Sequence, residues 1–197
     1  MPSRYNGRPL KRFLPNLMRR FSRYAAVLLF LAGALHAQTN PPMALRGATV
    51  QVYFSPDGGA ARAVVGMIDG ARQRVMLAGY LLTSYPIARA LKRAHARGVQ
   101  VRVVLDSANE TDRYSGATYL ARAGIDVVID KKYAIMHHKF IIADRTLGFG
   151  SMNFTRAGDE KNAENFNIFR GAPTLLDRYE KEFERLYRES APYRRGG

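Results

Sequence analysis

The chain has 197 residues, 31 Lys and Arg against 16 Asp and Glu, and no cysteine, for a formal net charge of +15. Without cysteine there is no disulfide framework and no thiolate chemistry. The positive surplus favours anionic partners but does not choose between nucleic acid and lipid phosphate.

The first forty residues differ from the rest. Seven basic side chains and no acidic one lie between Met1 and Arg23. AAVLLFLAGAL follows, Ala25 to Leu35, and then HAQTNPP. A positive segment, a short apolar run and small residues at its end describe a secretory signal peptide. A membrane anchor is the competing reading, yet eleven apolar residues make a helix of about 16 Å, roughly half of a bilayer's hydrocarbon core. Cleavage is expected after Ala37, or after Ala34. Arg19-Arg20-Phe21 hints at a twin-arginine signal, but Ser22 and Arg23 fit that pattern poorly. The chain is therefore expected to comprise a signal peptide (1–37), a linker with Pro41-Pro42 (38–47), one domain (48–190) and a basic tail (191–197). Its product would be periplasmic or secreted. Losing residues 1–37 removes seven charges and leaves +8 on 160 residues.

In the mature chain, VQVYF (Val50 to Phe54) predicts a strand closed by the turn residues SPDGG. Ala60 to Arg72 is helical by the spacing of Val64, Val65, Ile68 and Ala71. Val75 to Leu82 predicts a buried strand. Pro86 opens a helix that Gly98 closes, with Arg89, Lys92, Arg93 and Arg97 on its polar face. Val99 to Leu105 is another strand, Ser115 caps a short helix ending near Gly124, and IDVVI follows as a strand. This alternation argues for βαβ units and parallel pairing. Beyond Asp130, Met136 to Ala143, Leu147 to Gly150 and Asn165 to Phe169 are too closely connected for crossover helices, so antiparallel pairing is expected. Pro173 begins an amphipathic helix carrying Leu176, Tyr179, Phe183 and Leu186. The fold class is α/β, a single domain with a mixed central sheet flanked by helices on both faces.

The stretch AIMHHKFIIADRTLGFGSMNF (Ala134 to Phe154) sets charged groups inside an apolar run, where an unpartnered charge is costly. If Met136 to Ala143 is extended, His137, Lys139 and Ile141 share one face and His138, Phe140 and Ile142 the other. The histidines then point opposite ways, and Phe140 and Ile142 mark their face as core, so His138 is expected to be a packed, hydrogen-bonded structural residue. An imidazole beside an ammonium suits an anion better than a metal, and with no Cys and only His95 spare the ligands for zinc are few. Downstream, Ser151 and Asn153 of GSMNFT are spaced by two and can donate to anionic oxygen. Glu164 lies among amides in KNAEN, and Asp144 starts the turn at DRTLG.

Together these residues resemble the phospholipase D superfamily. HHKFIIAD fits its H-x-K-x-x-x-x-D signature through His137, Lys139 and Asp144, and GSMN matches the G-S-x-N that follows. The separation of Asp144 and Gly150 is one residue shorter than the family form, which implies a tighter turn. FSPDGG, AGYLLTS, PIARAL, RGVQVRVVLD, RYSG and AGIDV are similar to the single-motif bacterial endonucleases of the superfamily. The resemblance thus runs from about Val50 to about Tyr187.

That resemblance implies the phospholipase D-like fold and a phosphodiesterase without metal or other cofactor. His137 would attack phosphorus and form a phosphohistidine that water hydrolyses. Lys139, Ser151 and Asn153 would hold the nonbridging oxygens. Glu164 would orient the imidazole, as a triad aspartate does, and Asp144 would support the motif structurally. A proton donor must face the nucleophile across phosphorus. With one H-x-K per chain, a two-fold homodimer would supply it as a second His137. The substrate expected is DNA or RNA cut with little sequence preference. The alternatives are a phospholipase D acting on phosphatidylcholine-type lipid, and a catalytically silent nucleic-acid or membrane-surface binding module; the intact catalytic set argues against the latter. His95 reads as a surface residue, Lys131-Lys132 as a solvated turn or a phosphate-steering pair, and Arg113 and Tyr114 as part of a loop near the site.

Overall fold

The protein is described by a computed structural model covering residues 41–111 and 115–193. The expected signal peptide, the first three residues of the linker, Arg113, Tyr114 and the end of the tail therefore lie outside the described residues. In chain order the elements are β1 (Thr49–Ser55), α1 (Ala60–Gly70), β2 (Arg74–Gly79), α2 (Tyr85–Ala96), β3 (Gln100–Asp106), α3 (Ala108–Thr111) and α4 (Gly116–Arg122). There follow β4 (Asp126–Asp130), β5 (Lys139–Ala143), β6 (Thr146–Gly150), α5 (Arg156–Glu160), β7 (Glu164–Arg170), α6 (Pro173–Glu189) and β8 (Ala191–Pro192).

The strands form one eight-stranded sheet ordered β1-β7-β6-β5-β2-β3-β4-β8. β2, β3 and β4 run parallel, joined through helices. β5 and β6 pair antiparallel across a two-residue turn, β6 and β7 pair antiparallel across a 13-residue connection that holds α5, and β5 lies antiparallel to β2. The mixed sheet is thus the one the sequence predicts, since a helix-length spacer permits a parallel return and a tight turn does not.

Alternation divides each inner strand between two cores. Val75, Leu77, Val103 and Ile141 pack with Val64, Ile68, Leu91 and Leu120 of α1, α2 and α4. Met76, Ala78, Val104, Phe140 and Ile142 face Phe183 and Leu186 of α6. Helices cover both faces. The ends of α6 and β3 are also tied by Arg102, which pairs with Glu184 and lies over the rings of Phe183 and Tyr187 at 5.2 and 5.0 Å.

Three differences from the sequence reading are local. The short elements α3, α5 and β8 were not expected, being too brief to carry periodicity. Ala191 and Pro192, assigned to the tail, pair with Ile129 and Val128 of β4. The strand expected from Met136 begins only at Lys139, because the three residues before it leave the ladder to cross the ends of the parallel strands.

Candidate active site

Because β2, β3 and β4 are parallel, their C-terminal ends share one edge of the sheet, where sites in α/β folds gather. β3 and β4 both end in buried aspartates. Asp106, 3% exposed, accepts from the Met136 N–H at 2.7 Å and the Ala108 N–H at 2.9 Å. Asp130 accepts through Oδ1 from the N–H groups of Lys132 and Tyr133, both at 3.2 Å. A buried carboxylate needs donors, and both draw them from the segment that carries the chain from β4 to β5, although Asp130 Oδ2 is buried without a partner among the described residues. The Tyr80 N–H, just past β2, donates to the His138 carbonyl at 3.0 Å. Residues 136–138 are thereby held across the strand ends.

The two histidines point to opposite faces, as alternation predicts. The His137 ring lies 4.8 Å from the ring of Tyr80, tilted by 57°. His137 is exposed, and its imidazole makes no hydrogen bond among the described residues. His138 turns to α6, where Nε2 and Glu182 Oε1 are 3.1 Å apart and the ring meets Phe140 edge-on. The hydrogen bond and the packing against Phe140 are as expected, but its side chain is 46% exposed, so the packing is at the surface and not in the core. With β5 starting at Lys139, His138 lies beyond the sheet edge, where α6 offers it a carboxylate rather than an apolar lid.

Lys139, the first residue of β5, is 9% exposed. Its ammonium donates to the His137 carbonyl at 2.7 Å and sits 5.6 Å from the centre of the Tyr80 ring. Burial pushes its pKa below the ordinary lysine value, and the negative charge of Glu164 opposes that shift. Glu164 opens β7 and accepts from Asn162 Nδ2 at 3.1 Å. It therefore accompanies the ammonium of Lys139, without a hydrogen bond to the His137 ring.

Ser151 and Asn165 form a reciprocal pair. The Ser151 N–H donates to Asn165 Oδ1 and the Asn165 N–H to Ser151 Oγ, each at 3.0 Å. Gly150 allows this approach, since a Cβ there would fall 2.1 Å from the Asn165 carbonyl oxygen. Asn153 has a buried Oδ1 with no hydrogen-bond partner.

Asp144 lies just past the far end of β5, five positions from Lys139, about 17 Å along an extended chain. It opens the tight turn between Ala143 and Thr146 with φ 51°. Its carboxylate accepts from the backbone N–H groups of Arg72, Gln73 and Arg74 at 2.9, 2.9 and 3.0 Å. Burial alone would raise its pKa, but these donors outweigh it and hold the group below the usual carboxylate range. The structure thus gathers His137 and Lys139 around Tyr80, with Glu164 near the Lys139 ammonium, and sets Asp144 apart.

Lys131 and Lys132 are ion-paired with Glu110 and Glu189 at 2.8 and 2.9 Å. His95 borders a cavity of about 300 Å³ with Gly98, Gln100 and Gly124, at the opposite edge of the sheet. A second cavity, of about 320 Å³, adjoins His137 and is lined by Tyr133, Ile135, Met136, Arg185 and Leu186. Among the described residues no three His, Cys, Asp or Glu side chains cluster as metal ligands would. Sequence reasoning missed Tyr80, Asn165, Asp106 and Asp130. For the aspartates a signal was present, a carboxylate ending the buried strands VRVVLD and VVID; for Tyr80 and Asn165 there was none.

A family model described as cardiolipin synthase, PLD-like domain, matches residues 64–187. The chain is 40% identical over 131 residues to a phospholipase D of Rickettsia bellii, a match covering 66% of this chain and 65% of that protein. It is 34% identical over 137 residues to a mitochondrial cardiolipin hydrolase of Xenopus laevis, covering 69% of this chain and 64% of that one. The chain thus spans somewhat under two thirds of the length of these curated relatives. Among solved structures, the phospholipase D family member Nuc from Salmonella typhimurium superposes with a TM-score of 0.72 at 35% identity. That match covers 75% of this chain and 99% of Nuc. NucT from Helicobacter pylori, at 22% identity and a TM-score of 0.69, has the same fold.

Proposed function

Because this chain belongs to the phospholipase D superfamily, we propose that it is a metal-independent phosphodiesterase cleaving DNA or RNA with little sequence preference. The carrying observation is the meeting, at one edge of the sheet, of an exposed, unpartnered imidazole with a buried ammonium. His137 attacks phosphorus through a neutral ring nitrogen, so that a P–N bond forms as the bond to the leaving oxygen breaks. Water then cleaves the phosphohistidine and restores the ring. Lys139 holds nonbridging oxygen. Its burial strengthens that contact, because the surrounding dielectric is low and the charge is already positioned. Ser151 and Asn153 add donors, and Glu164 keeps Lys139 charged and orients the site. Asp144 secures the motif strand from its other end.

The leaving oxygen needs a proton, and among the described residues neither other histidine is placed to supply it. His138 faces α6 and His95 borders the opposite edge of the sheet. The reading is therefore a homodimer with His137 of each copy facing the other across the axis. Apolar surface beside the site supports it: Val50, Val52 and Phe54 of edge strand β1 are 52%, 52% and 61% exposed, and Phe54 stands opposite Asn165 in the ladder. Export through cleavage of residues 1–37 belongs to the same proposal and gives a mature start near Gln38, measurable by mass spectrometry of envelope or medium. An intact N-terminus embedded in membrane overturns export.

A second reading, a phospholipase D acting on phosphatidylcholine-type lipid, is favoured by the cavity next to His137, whose wall includes the 55% exposed Ile135. One experiment separates the two. Plasmid, single-stranded DNA, RNA and phosphatidylcholine vesicles are offered in EDTA to the purified protein. Cleavage of nucleic acid is expected. Hydrolysis of lipid with nucleic acid intact transfers the function to the second reading, and a requirement for a divalent ion overturns the mechanism.

A further inference from the structure

Away from the catalytic groups, the first turns of α2 and α4 bring two tyrosines together. The rings of Tyr85 and Tyr119 meet edge-to-face with centres 6.1 Å apart. The Arg89 guanidinium lies 5.5 Å from the centre of the Tyr85 ring, and the Lys92 ammonium 5.4 Å from that of Tyr119. Tyr85 is 61% exposed, so burial does not account for it.

The charges around these rings are unequal to their neighbours. On the same basic helix, Arg93 forms two hydrogen bonds to the Asp69 carboxylate at 2.7 and 3.1 Å, and Arg97 caps the end of α1 through carbonyls. Arg89 and Lys92 have no carboxylate partner among the described residues. Arg122, exposed at the end of α4, adds a third cation one turn beyond Tyr119. The patch is basic and aromatic, and among the described residues no carboxylate pairs with its cations.

Its position is tied to the site. Tyr80, against His137, and Tyr85 are five residues apart, so their Cα atoms are at most about 18 Å apart. The connecting segment is fixed as well: the N–H groups of Thr83 and Ser84 both donate to the Phe154 carbonyl, at 3.0 and 2.9 Å. Phe154 directly follows the Ser151–Asn153 segment. A polymer held at His137 would reach the tyrosines within a few monomers.

We propose that Tyr85, Tyr119, Arg89, Lys92 and Arg122 form an accessory site that binds single-stranded nucleic acid flanking the bond to be cut. The proposal rests on the nucleic-acid reading above. Aromatic rings and arginine planes stack on unpaired bases of any sequence, while unpaired cations neutralise successive phosphates. A lipid surface is the poorer occupant. An anionic lipid surface also engages basic and aromatic side chains, but the exposed aliphatic residues that would insert beside them, Val50, Val52 and Ile135 among them, lie on other elements.

The test uses a fluorescein-labelled single-stranded oligothymidylate and protein carrying His137→Asn, so that binding is read without cleavage. In that background Tyr85→Ala should weaken binding about tenfold, whereas Tyr85→Phe should retain it. Arg89→Gln with Lys92→Gln should reduce the slope of log affinity on log salt by roughly 1.4. With His137 restored, Tyr85→Ala should hydrolyse a small chromogenic phosphodiester at the unaltered rate. Oligonucleotide affinity unchanged by Tyr85→Ala overturns the site, as does equal loss with Tyr85→Phe. Loss of anionic-vesicle binding in place of oligonucleotide binding also overturns it, in favour of a lipid surface. Tyrosine-dependent binding by a protein that cuts no nucleic acid would sustain the site and reject the nuclease reading alone. Cleavage with tyrosine-independent binding would do the reverse.

Discussion

Asp144 is a motif residue whose surroundings assign it to stability, and Asp144→Asn tests that assignment. Asparagine keeps the size and readily adopts the left-handed backbone at φ 51°, so the substitution isolates the charge. The carboxylate accepts three backbone N–H bonds, each worth about 1.5–3 kcal/mol when the acceptor is charged. The asparagine carbonyl accepts at most two neutral bonds, of about 0.5–1.5 kcal/mol each, and leaves one N–H facing an amide. The site is partly exposed, which reduces these figures. A net loss of about 2 kcal/mol follows, equivalent for a domain of this size to a fall in Tm of roughly 4–8 °C. The folded carboxylate titrates below its unfolded value, so its stabilisation is complete above the unfolded pKa of about 3.9. It disappears as pH falls through the lower folded value. The gap between the two proteins should therefore be full at neutral pH and close in acid. Thermal unfolding across pH measures it, with kcat/KM at 25 °C expected within about threefold of wild type. An unchanged Tm together with activity lost as completely as in His137→Asn would mean that Asp144 acts in the chemistry, and would refute the reasoning.

His137→Asn should abolish turnover with the fold retained, whereas His138→Asn, which removes a half-exposed contact to Glu182, should cost under about 1 kcal/mol and preserve activity; a dead His138 variant would reverse their roles. Glu164→Gln removes the charge that opposes the burial-driven depression of the Lys139 pKa. The ammonium should then deprotonate at lower pH, and the alkaline limb of kcat/KM should shift downward; a limb that stays or moves upward excludes this coupling. Mixing His137→Asn chains with wild-type chains should poison activity beyond simple dilution, and dilution through the dimer dissociation constant should reduce specific activity. A fully active monomer seen by sedimentation would place the second proton donor within one chain.

Much of the architecture was written in local pattern. Helix-length spacers between VQVYF, VMLAG, VRVVL and DVVID favoured parallel returns, and the two-residue turn between β5 and β6 required an antiparallel one, whereas the 13-residue connection from β6 to β7 left that direction to tertiary structure. Period-two alternation sufficed to turn His137 and His138 to opposite faces, because the chain there is extended even where it is not paired. The short separation of Asp144 and Gly150 fixed the tight turn. These are properties of a few neighbouring residues, and sequence determines them directly. Tertiary structure alone decided which groups met. Lys139 and Glu164 are 25 positions apart and interact because β5 and β7 flank β6. Tyr80 reaches His137 because β2 ends beside the start of β5. Asp106 and Asp130 hold the histidine segment because parallel strands finish at a common edge. His138, assigned to the core by its alternation with Phe140, is half-exposed because burial depends on what covers a face, and there the cover is the carboxylate of Glu182. Alternation selects a side of the sheet; the elements packed against that side decide whether it is dry.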